Sequence, residues 1–429
     1  MYDVIIIGAR VAGASTALLL ARKGLRVLCV DRATFPSDAL SSHQVQLPGV
    51  ASLMRWGLLE QVIAAGTPPT RQVRFDSGGV VLSGRFPAYE GVDALYSPRR
   101  VILDKLIVDA ARRSGAEVRE GFLVDEMTFA DGEVTGIRGR ERHGRPVTET
   151  APLVIGADGK HSFLATAVAA PWYRKRPILS VGYYSYWEAL ATQGGEMYAR
   201  DRRAIGVWPT NDGLVVTFLS APLAEFGAFR SNVESACLDT LDRVGELGAR
   251  MRAAKQVGPF RGTADLPNGF RKPYGSHWAL VGDAGFVMDP ITGQGISQAL
   301  RDAELLSDEV SAAFEGKRTF DAALSEYERQ RNLRAFPIYE FTTEMASFHR
   351  REAEETVLLE TLAGNQDEID RFFGLITGAV RYDEYRSMRH MLKLLGVRGV
   401  ARATVGRIAR LVGLSRESPP GTNASRHVL

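Results

Sequence analysis

The chain has 429 residues, 45% of them hydrophobic and 24% charged, and its 53 Lys+Arg against 50 Asp+Glu leave a formal net charge of +3. That length predicts two or three domains, the composition excludes disordered and collagen-like chains, and the small net charge carries no global signal for nucleic acid. The two cysteines, Cys29 and Cys237, exclude a disulfide scaffold and a Cys-rich zinc site, and no His cluster has metal-ligand spacing, so no metal is expected.

Residues 3–7 predict a short strand stopped by Gly8, residues 12–23 a helix closed by Gly24, and residues 26–31 a second strand. Strand, glycine turn, helix and strand make a βαβ unit, which requires a parallel sheet. With no basic region ahead of its apolar run, the N-terminus reads as a strand entering a fold rather than a secretory signal. No run of 18 apolar residues occurs, so a soluble, cytoplasmic protein is expected. An amphipathic helix is predicted over 100–114, then strands near 117–119, 122–129, 133–140 and 146–150, with turns at Asp131-Gly132 and His143-Gly144. Residues 153–159 read as another buried strand. Between about 172 and 275 the pattern changes: 181–188, 195–200, 203–209 and 213–220 alternate large apolar with polar residues, as in an antiparallel sheet. Helical periodicity returns at 222–250, a short strand follows at 278–284, and a long helix runs from about Gly295 to 315. Residues 321–416 are expected to be mostly helical, ahead of a polar tail.

Four motifs carry chemistry. Gly8 and Gly13 hold the first and third positions of G-x-G-x-x-G, where one allows the tight turn and the other close packing of helix on sheet. The helix N-terminus can then receive a pyrophosphate. Arg10 occupies the second glycine position; a guanidinium lying along the phosphates could compensate if the backbone there stays unstrained. Asp31, 18 residues past Gly13, is placed to accept from a ribose hydroxyl, with Arg32 beside it. The second motif is Gly282-Asp283-Ala284 followed by Asp289-Pro290-Ile291-Thr292-Gly293-Gln294-Gly295. An aspartate at a strand end can bind a polyol, and the N–H groups of such a loop can stabilise charge on a bound ring. The third is Asp158-Gly159 with Ser162 opening a helix, and the fourth is Arg100 heading the helix that carries Leu103 and Asp104.

In this order the motifs resemble the group A flavoprotein monooxygenases, the para-hydroxybenzoate hydroxylase-like fold, and the related geranylgeranyl reductase and halogenase branch. The resemblance covers most of residues 1–315. It implies an α/β architecture: a discontinuous Rossmann-type FAD-binding domain (1–170 and 276–320, with small strands inserted near 70–97), an antiparallel-sheet substrate domain (171–275) and a C-terminal helical region (321–429). By resemblance, Gly8, Gly13 and Asp31 hold the ADP half of FAD and Arg100 lies near the pyrophosphate. Asp283 binds the ribitol, and Pro290, Gly293, Gln294 and Gly295 border the isoalloxazine. Asp158-Gly159 looks like the family's second fingerprint, shared between FAD and NAD(P)H, although its usual arginine is missing from DGKHSFLATA. No second G-x-G-x-x-G exists, which implies NAD(P)H as a transient co-substrate or an external reductase.

His43, in DALSSHQVQLPG, falls where such proteins approach the flavin, and otherwise caps the following helix. His43 and Glu188 are the candidate bases. Tyr184, Tyr186 and Glu188 are expected on one face of their strand; with Trp208 the two tyrosines either roof the substrate or fill inter-domain core. The implied activity is hydroxylation or epoxidation of a small hydrophobic, aromatic or polycyclic substrate with O2, through a flavin C4a-hydroperoxide. DPITGQGI matches the loop of geranylgeranyl reductase-type saturases at least as well, so reduction of an isoprenoid double bond is the alternative. Halogenation is disfavoured by the missing W-x-W-x-I-P signature, and a non-enzymatic flavin-bound interaction protein is a third reading. Residues 386–416 hold seven arginines, one lysine and no acidic residue. They read either as a helix with a solvated basic face or as a surface for a membrane or another anionic partner.

Overall fold

The computed structural model describes residues 1–141, 144–349 and 353–396. The strand Val4–Ile7 is wholly buried and pairs in parallel with Val27–Asp31 on one side and Leu153–Gly156 on the other. Glu117–Glu120 and Trp278–Leu280 extend this sheet in parallel, and Tyr274–Gly275 adds an antiparallel edge. Its central strands have no polar face because both faces are covered. Val4, Ile6 and Cys29 pack with residues of the helices Val11–Arg22, Arg100–Arg113 and Gly295–Phe314. Ile5, Ile7, Leu28 and Val30 instead meet Phe122, Met127, Val134 and Ile137. Those belong to a three-stranded antiparallel sheet of Phe122–Ala130, Glu133–Glu141 and Val147–Thr150.

A seven-stranded sheet runs in the order Lys255–Thr263, Ser180–Glu188, Val215–Pro222, Arg203–Pro209, Gly195–Arg200, Gln72–Asp76 and Val81–Arg85. All its pairings are antiparallel except Gly195–Arg200 with Gln72–Asp76. The strands near residue 75 thus complete the large antiparallel sheet, although chain order set them beside the nucleotide-binding unit. Alternation along Ser180–Glu188 sorts the aromatics as the sequence predicts. Tyr183 and Trp187 pack toward the helices Val233–Asp242 and Gly245–Ala253, while Tyr184 and Tyr186 join the core shared with the parallel sheet.

The strand Lys255–Thr263 is not legible in KQVGPFRGT, where two glycines and a proline argue against a strand. It forms at the sheet edge, with the register shifting between Tyr184 and Tyr186. An edge with a bulge is where Pro and Gly are tolerated.

The opposite edge is closed by the C-terminal region. Phe320–Ala346, Ala353–Ala363, Gln366–Thr377 and Tyr382–Tyr385 are helical. Asp370 accepts from the Arg85 backbone N–H at 2.9 Å, and Gln366 donates to the Ser83 carbonyl at 3.1 Å, satisfying edge groups that would otherwise template another strand. Of the basic segment, Arg386 pairs with Glu344 at 3.7 Å and Lys393 with Glu368 at 3.8 Å. Its remainder from 397, the polar tail and His143 of the expected turn lie outside the described residues. No helix among the described residues is long and apolar enough to cross a membrane.

Candidate active site

The nucleotide end is built from close backbone packing. A Cβ on Gly13 would stand 1.7 Å from the Gly8 carbonyl oxygen, and one on Gly8 (φ +100°) would stand 2.5 Å from that of Ala157. Only glycine lets the first helix seat on its turn. Arg10 is extended (φ −81°, ψ −165°) and therefore unstrained at the position glycine usually holds. Its guanidinium reaches sideways, donating to Asp104 at 2.7 Å, Ser37 Oγ at 3.0 Å and the Asp38 carbonyl at 3.1 Å. Arg100 donates to the same Asp104 carboxylate at 2.8 and 2.9 Å. Asp104, fully buried, thus joins two cations from separate motifs, a role the sequence reading did not assign it. The Asp31 carboxylate accepts from the Ala9 and Ala33 backbone N–H groups, each at 2.7 Å, and so braces the glycine turn. Arg32 beside it is exposed.

The second motif converges on the same place. A Cβ on Gly282 (φ +60°) would stand 2.7 Å from the Ala12 Cβ, so the Gly-Asp turn packs on the first helix. Asp283 is open to solvent yet surrounded by protein, as expected on the wall of a channel; burial raises its carboxyl, opposed by Arg100 and Lys160. Gly295 is likewise open among buried neighbours, at the start of a 20-residue helix whose first turn holds no acidic residue to occupy its N–H groups.

Between them, Asp289 caps the Pro290–Thr292 turn through the Ile291 N–H at 3.0 Å and accepts from Ser180 Oγ. Burial pushes its carboxyl up to about 6. Gly293 (φ +63°) ends the turn, and Gln46 donates to the Thr292 carbonyl at 3.0 Å. Gln294 instead donates to the Ile376 carbonyl at 2.7 Å and ties the loop to the C-terminal helices.

His43 sits beside this loop, fully buried and left-handed (φ +62°). Its ring meets Tyr184 edge-on at 5.4 Å and stacks on Tyr186 at 5.6 Å, and Nε2 is bonded to the Tyr186 hydroxyl. Burial, with Arg100 and Arg99 nearby, lowers the imidazole to about 3, and burial raises the Tyr186 phenol. The phenol therefore donates to a neutral imidazole, leaving the ring proton on Nδ1. That atom, Gln44 Nε2 and Gln46 Oε1 are buried with no protein partner.

The depressed pKa makes a testable demand on stability. Below pH 6.5 the unfolded chain binds a proton at His43 that the folded chain refuses until about pH 3. Stability therefore falls as pH drops through that window, by up to about 1.4 kcal/mol per unit, and is fully present above it. His43→Gln is expected to flatten the melting temperature between pH 6.5 and 4; an unchanged slope would place the proton elsewhere.

The remaining candidates separate. Glu188 ends its strand exposed, paired with Lys255 at 3.0 Å, and does not join His43. Asp158 accepts from the Phe163 N–H at 2.6 Å and Ser162 Oγ from that of Ala165 at 3.1 Å, so both cap the helix Phe163–Ala167. Trp208 is buried against Gly195, where a Cβ would stand 2.0 Å from its ring. Of the three aromatics expected at the substrate, Trp208 lines the neighbouring cavity, whereas Tyr184 and Tyr186 pack behind it on His43. Gln44 and Gln46 were not picked out in the sequence. Two polar side chains bracketing Val45 in a buried stretch were the available signal.

The cavity holds about 1860 Å³. Its buried end is formed by Gln44, Gln46, Thr292 and Gly293, and its walls by the seven-stranded sheet, the helix Phe320–Ala346 and the helix Gln366–Thr377.

An open carboxylate at a strand end, an open helix N-terminus, a glycine cradle flanked by two arginines, and orphaned buried donors suit FAD in composition and order. Fold and site together define an FAD-dependent oxidoreductase with the fold of the group A flavin monooxygenases. The FAD binding domain family matches residues 1–222, and the chain belongs to it. It is 29% identical over 353 residues to kynurenine 3-monooxygenase of Salinispora arenicola, covering 76% of each chain. It is 26% identical over 339 residues to digeranylgeranylglycerophospholipid reductase 2 of Methanothermobacter thermautotrophicus, covering 76% of this chain and 82% of the reductase. The structure of a flavin-dependent brominase superposes with a TM-score of 0.79 at 19% identity over 96% of this chain and 99% of the brominase. At that identity the likeness shows the fold alone.

Proposed function

We propose that the protein is a monooxygenase that uses NAD(P)H and O2 to hydroxylate or epoxidise a hydrophobic substrate. The observation that carries this reading is the meeting of the Gly293 loop and the orphaned Gln44 amide with an apolar cavity at one buried point. FAD held by Gly8, Gly13, Asp31, Arg100, Asp283 and Gly295 would supply hydride acceptance and oxygen chemistry there. The chain's own contribution is to bind, orient and keep water out. Trp208, Met197 and Phe218 offer apolar wall, and a dry site protects oxygen transfer from wasteful release of peroxide. His43 acts as a fixed neutral N–H donor. At about 3 its pKa is too low for a general base near neutrality. With Glu188 turned to solvent, neither base candidate is placed to deprotonate a substrate, which favours substrates that react without losing a proton first.

Asp283→Ala is expected to weaken FAD retention about 10- to 100-fold, the loss of a charged hydrogen bond of about 1.5–3 kcal/mol. Unchanged flavin occupancy after purification would remove Asp283 from the site. The reaction itself is tested by reducing FAD-loaded protein chemically without air and mixing it rapidly with oxygenated buffer. Absorbance distinct from both reduced and oxidised flavin, passing before full reoxidation, is the expected result. Slow reoxidation without it supports the second reading, a double-bond saturase, favoured by the Pro290-Ile291-Thr292-Gly293-Gln294-Gly295-Ile296 loop.

A further inference from the structure

At about 1860 Å³, a volume that includes the space a flavin ring would take beside the Gly293 loop, the cavity exceeds the range of pockets that enclose drug-sized ligands, about 300–1,000 Å³. A single ring seated against Gln44 would leave most of it as wetted apolar wall, which is unfavourable. The surplus is not polar space. Met197 and Phe218 from the sheet and Phe341 and Ile376 from the helices line it. Its polar lining includes a buried set and an exposed set. The buried end has the orphaned Gln44 amide and Gln46, and the exposed end has Arg176, Arg202, Glu340 and Arg386. At the exposed end Arg176 pairs with Glu340 at 2.5 Å, a carboxylate that Arg174 also contacts at 3.5 Å, and Arg386 pairs with Glu344 at 3.7 Å, while Arg202 Nε donates to the neutral Phe348 carbonyl at 3.1 Å. Between the two ends, length and apolarity are what the walls can read.

We propose that the substrate is a long amphiphile whose reacting head contacts Gln44 beside the Gly293 loop. Its apolar tail lies between the Met197–Phe218 wall and the Phe341–Ile376 wall and ends at the ion-paired mouth. This deepens the monooxygenase reading and rests on it for which end reacts, but not for how the molecule binds.

The test is calorimetric titration of the full-length, FAD-loaded protein with 4-alkylphenols from ethyl to octyl. Affinity is expected to rise about fourfold per methylene, the effect of about 0.8 kcal/mol per buried CH2, through the whole series. Affinity that levels off at propyl, or absence of binding across the series, overturns the proposal. Met197→Trp and Ile376→Trp narrow the cavity from the sheet and from the helices. In flavin-loaded preparations each is expected to lower octylphenol affinity tenfold or more while ethylphenol loses under twofold. If both variants keep the full chain-length dependence, the tail does not run there and the proposal fails. Octylphenol that binds tightly to a protein whose reduced flavin reoxidises without the transient absorbance counts against the monooxygenase reading alone. Oxygenation of ethylphenol with no gain from longer chains counts against this proposal alone.

Discussion

Replacing Gly13 with alanine is expected to abolish FAD retention and to destabilise the fold by about 3 kcal/mol, the upper end for overpacking. The added methyl would stand 1.7 Å from the Gly8 carbonyl oxygen, 2.8 Å from its carbon and 3.0 Å from the Ala157 Cβ. These atoms cannot give way separately. Gly8 N–H donates to the Val30 carbonyl at 2.7 Å and Ala157 N–H to that of Ile7 at 2.7 Å, so moving the turn breaks the parallel sheet at its centre. The alternative is to lift the first helix, which withdraws the N–H groups proposed to receive the pyrophosphate. Gly24→Ala is the matching control. Gly24, unlike Gly13, is left-handed (φ +85°) but has nothing within 4 Å of its missing Cβ, so only backbone strain of about 1–2 kcal/mol is expected, with FAD retained. Flavin absorbance per polypeptide and the melting temperature read both outcomes. Equal flavin loading of the two variants would show that close packing at Gly13 does not govern the site.

Removing the Asp104 carboxylate has the second-largest expected effect. Asp104→Ala leaves Arg10 and Arg100 facing each other without the anion that both contact. Breaking a buried pair from one side costs about 3–5 kcal/mol. The lower end is expected, because the Arg10 side chain keeps 31% of its surface in water while Arg100 keeps 11%. The distinguishing measurement is the double variant. Arg10→Gly restores the ordinary fingerprint residue and removes one of the stranded cations, so Arg10→Gly/Asp104→Ala should be more stable than Asp104→Ala alone, by about 1 kcal/mol or more of coupling. Additive losses in urea denaturation would mean that the three groups do not act as a unit. Arg10→Gly by itself should retain FAD, since the extended backbone at this position is open to any residue.

The sequence was most legible where the local backbone admits only one residue type. Gly8, Gly13 and the strands around them could be read because the turn depends on contacts within a short stretch of chain. The two faces of Ser180–Glu188 were legible for the same reason: strand alternation is local. Extrapolating it to Glu188 failed because a strand end can project past the surface that covers its middle, and Lys255 opposite supplies a partner in water. The strand Lys255–Thr263 was invisible because its pairing comes from Ser180–Glu188, nearly seventy residues away, and not from its own composition. Asp158 was read as part of a cofactor fingerprint. In the folded chain its carboxylate caps the helix it precedes, and an isolated Asp-Gly pair cannot distinguish those uses.

By itself, then, the sequence determined a parallel βαβ entry and an antiparallel second sheet, and its resemblance to the flavin monooxygenases implied FAD and the residues proposed to hold it. The strands and turns rest on local geometry, and the cofactor on short motifs read in chain order. Only the tertiary structure decided that Asp104 joins Arg10 to Arg100, that His43 is a buried neutral donor held by Tyr186, and that a cavity of about 1860 Å³ opens beside the Gly293 loop. Each of these depends on side chains far apart in the chain meeting in a region screened from water. The pKa of an imidazole, the pairing of a carboxylate and the size of a cavity are properties of such surroundings, which no single stretch of residues contains.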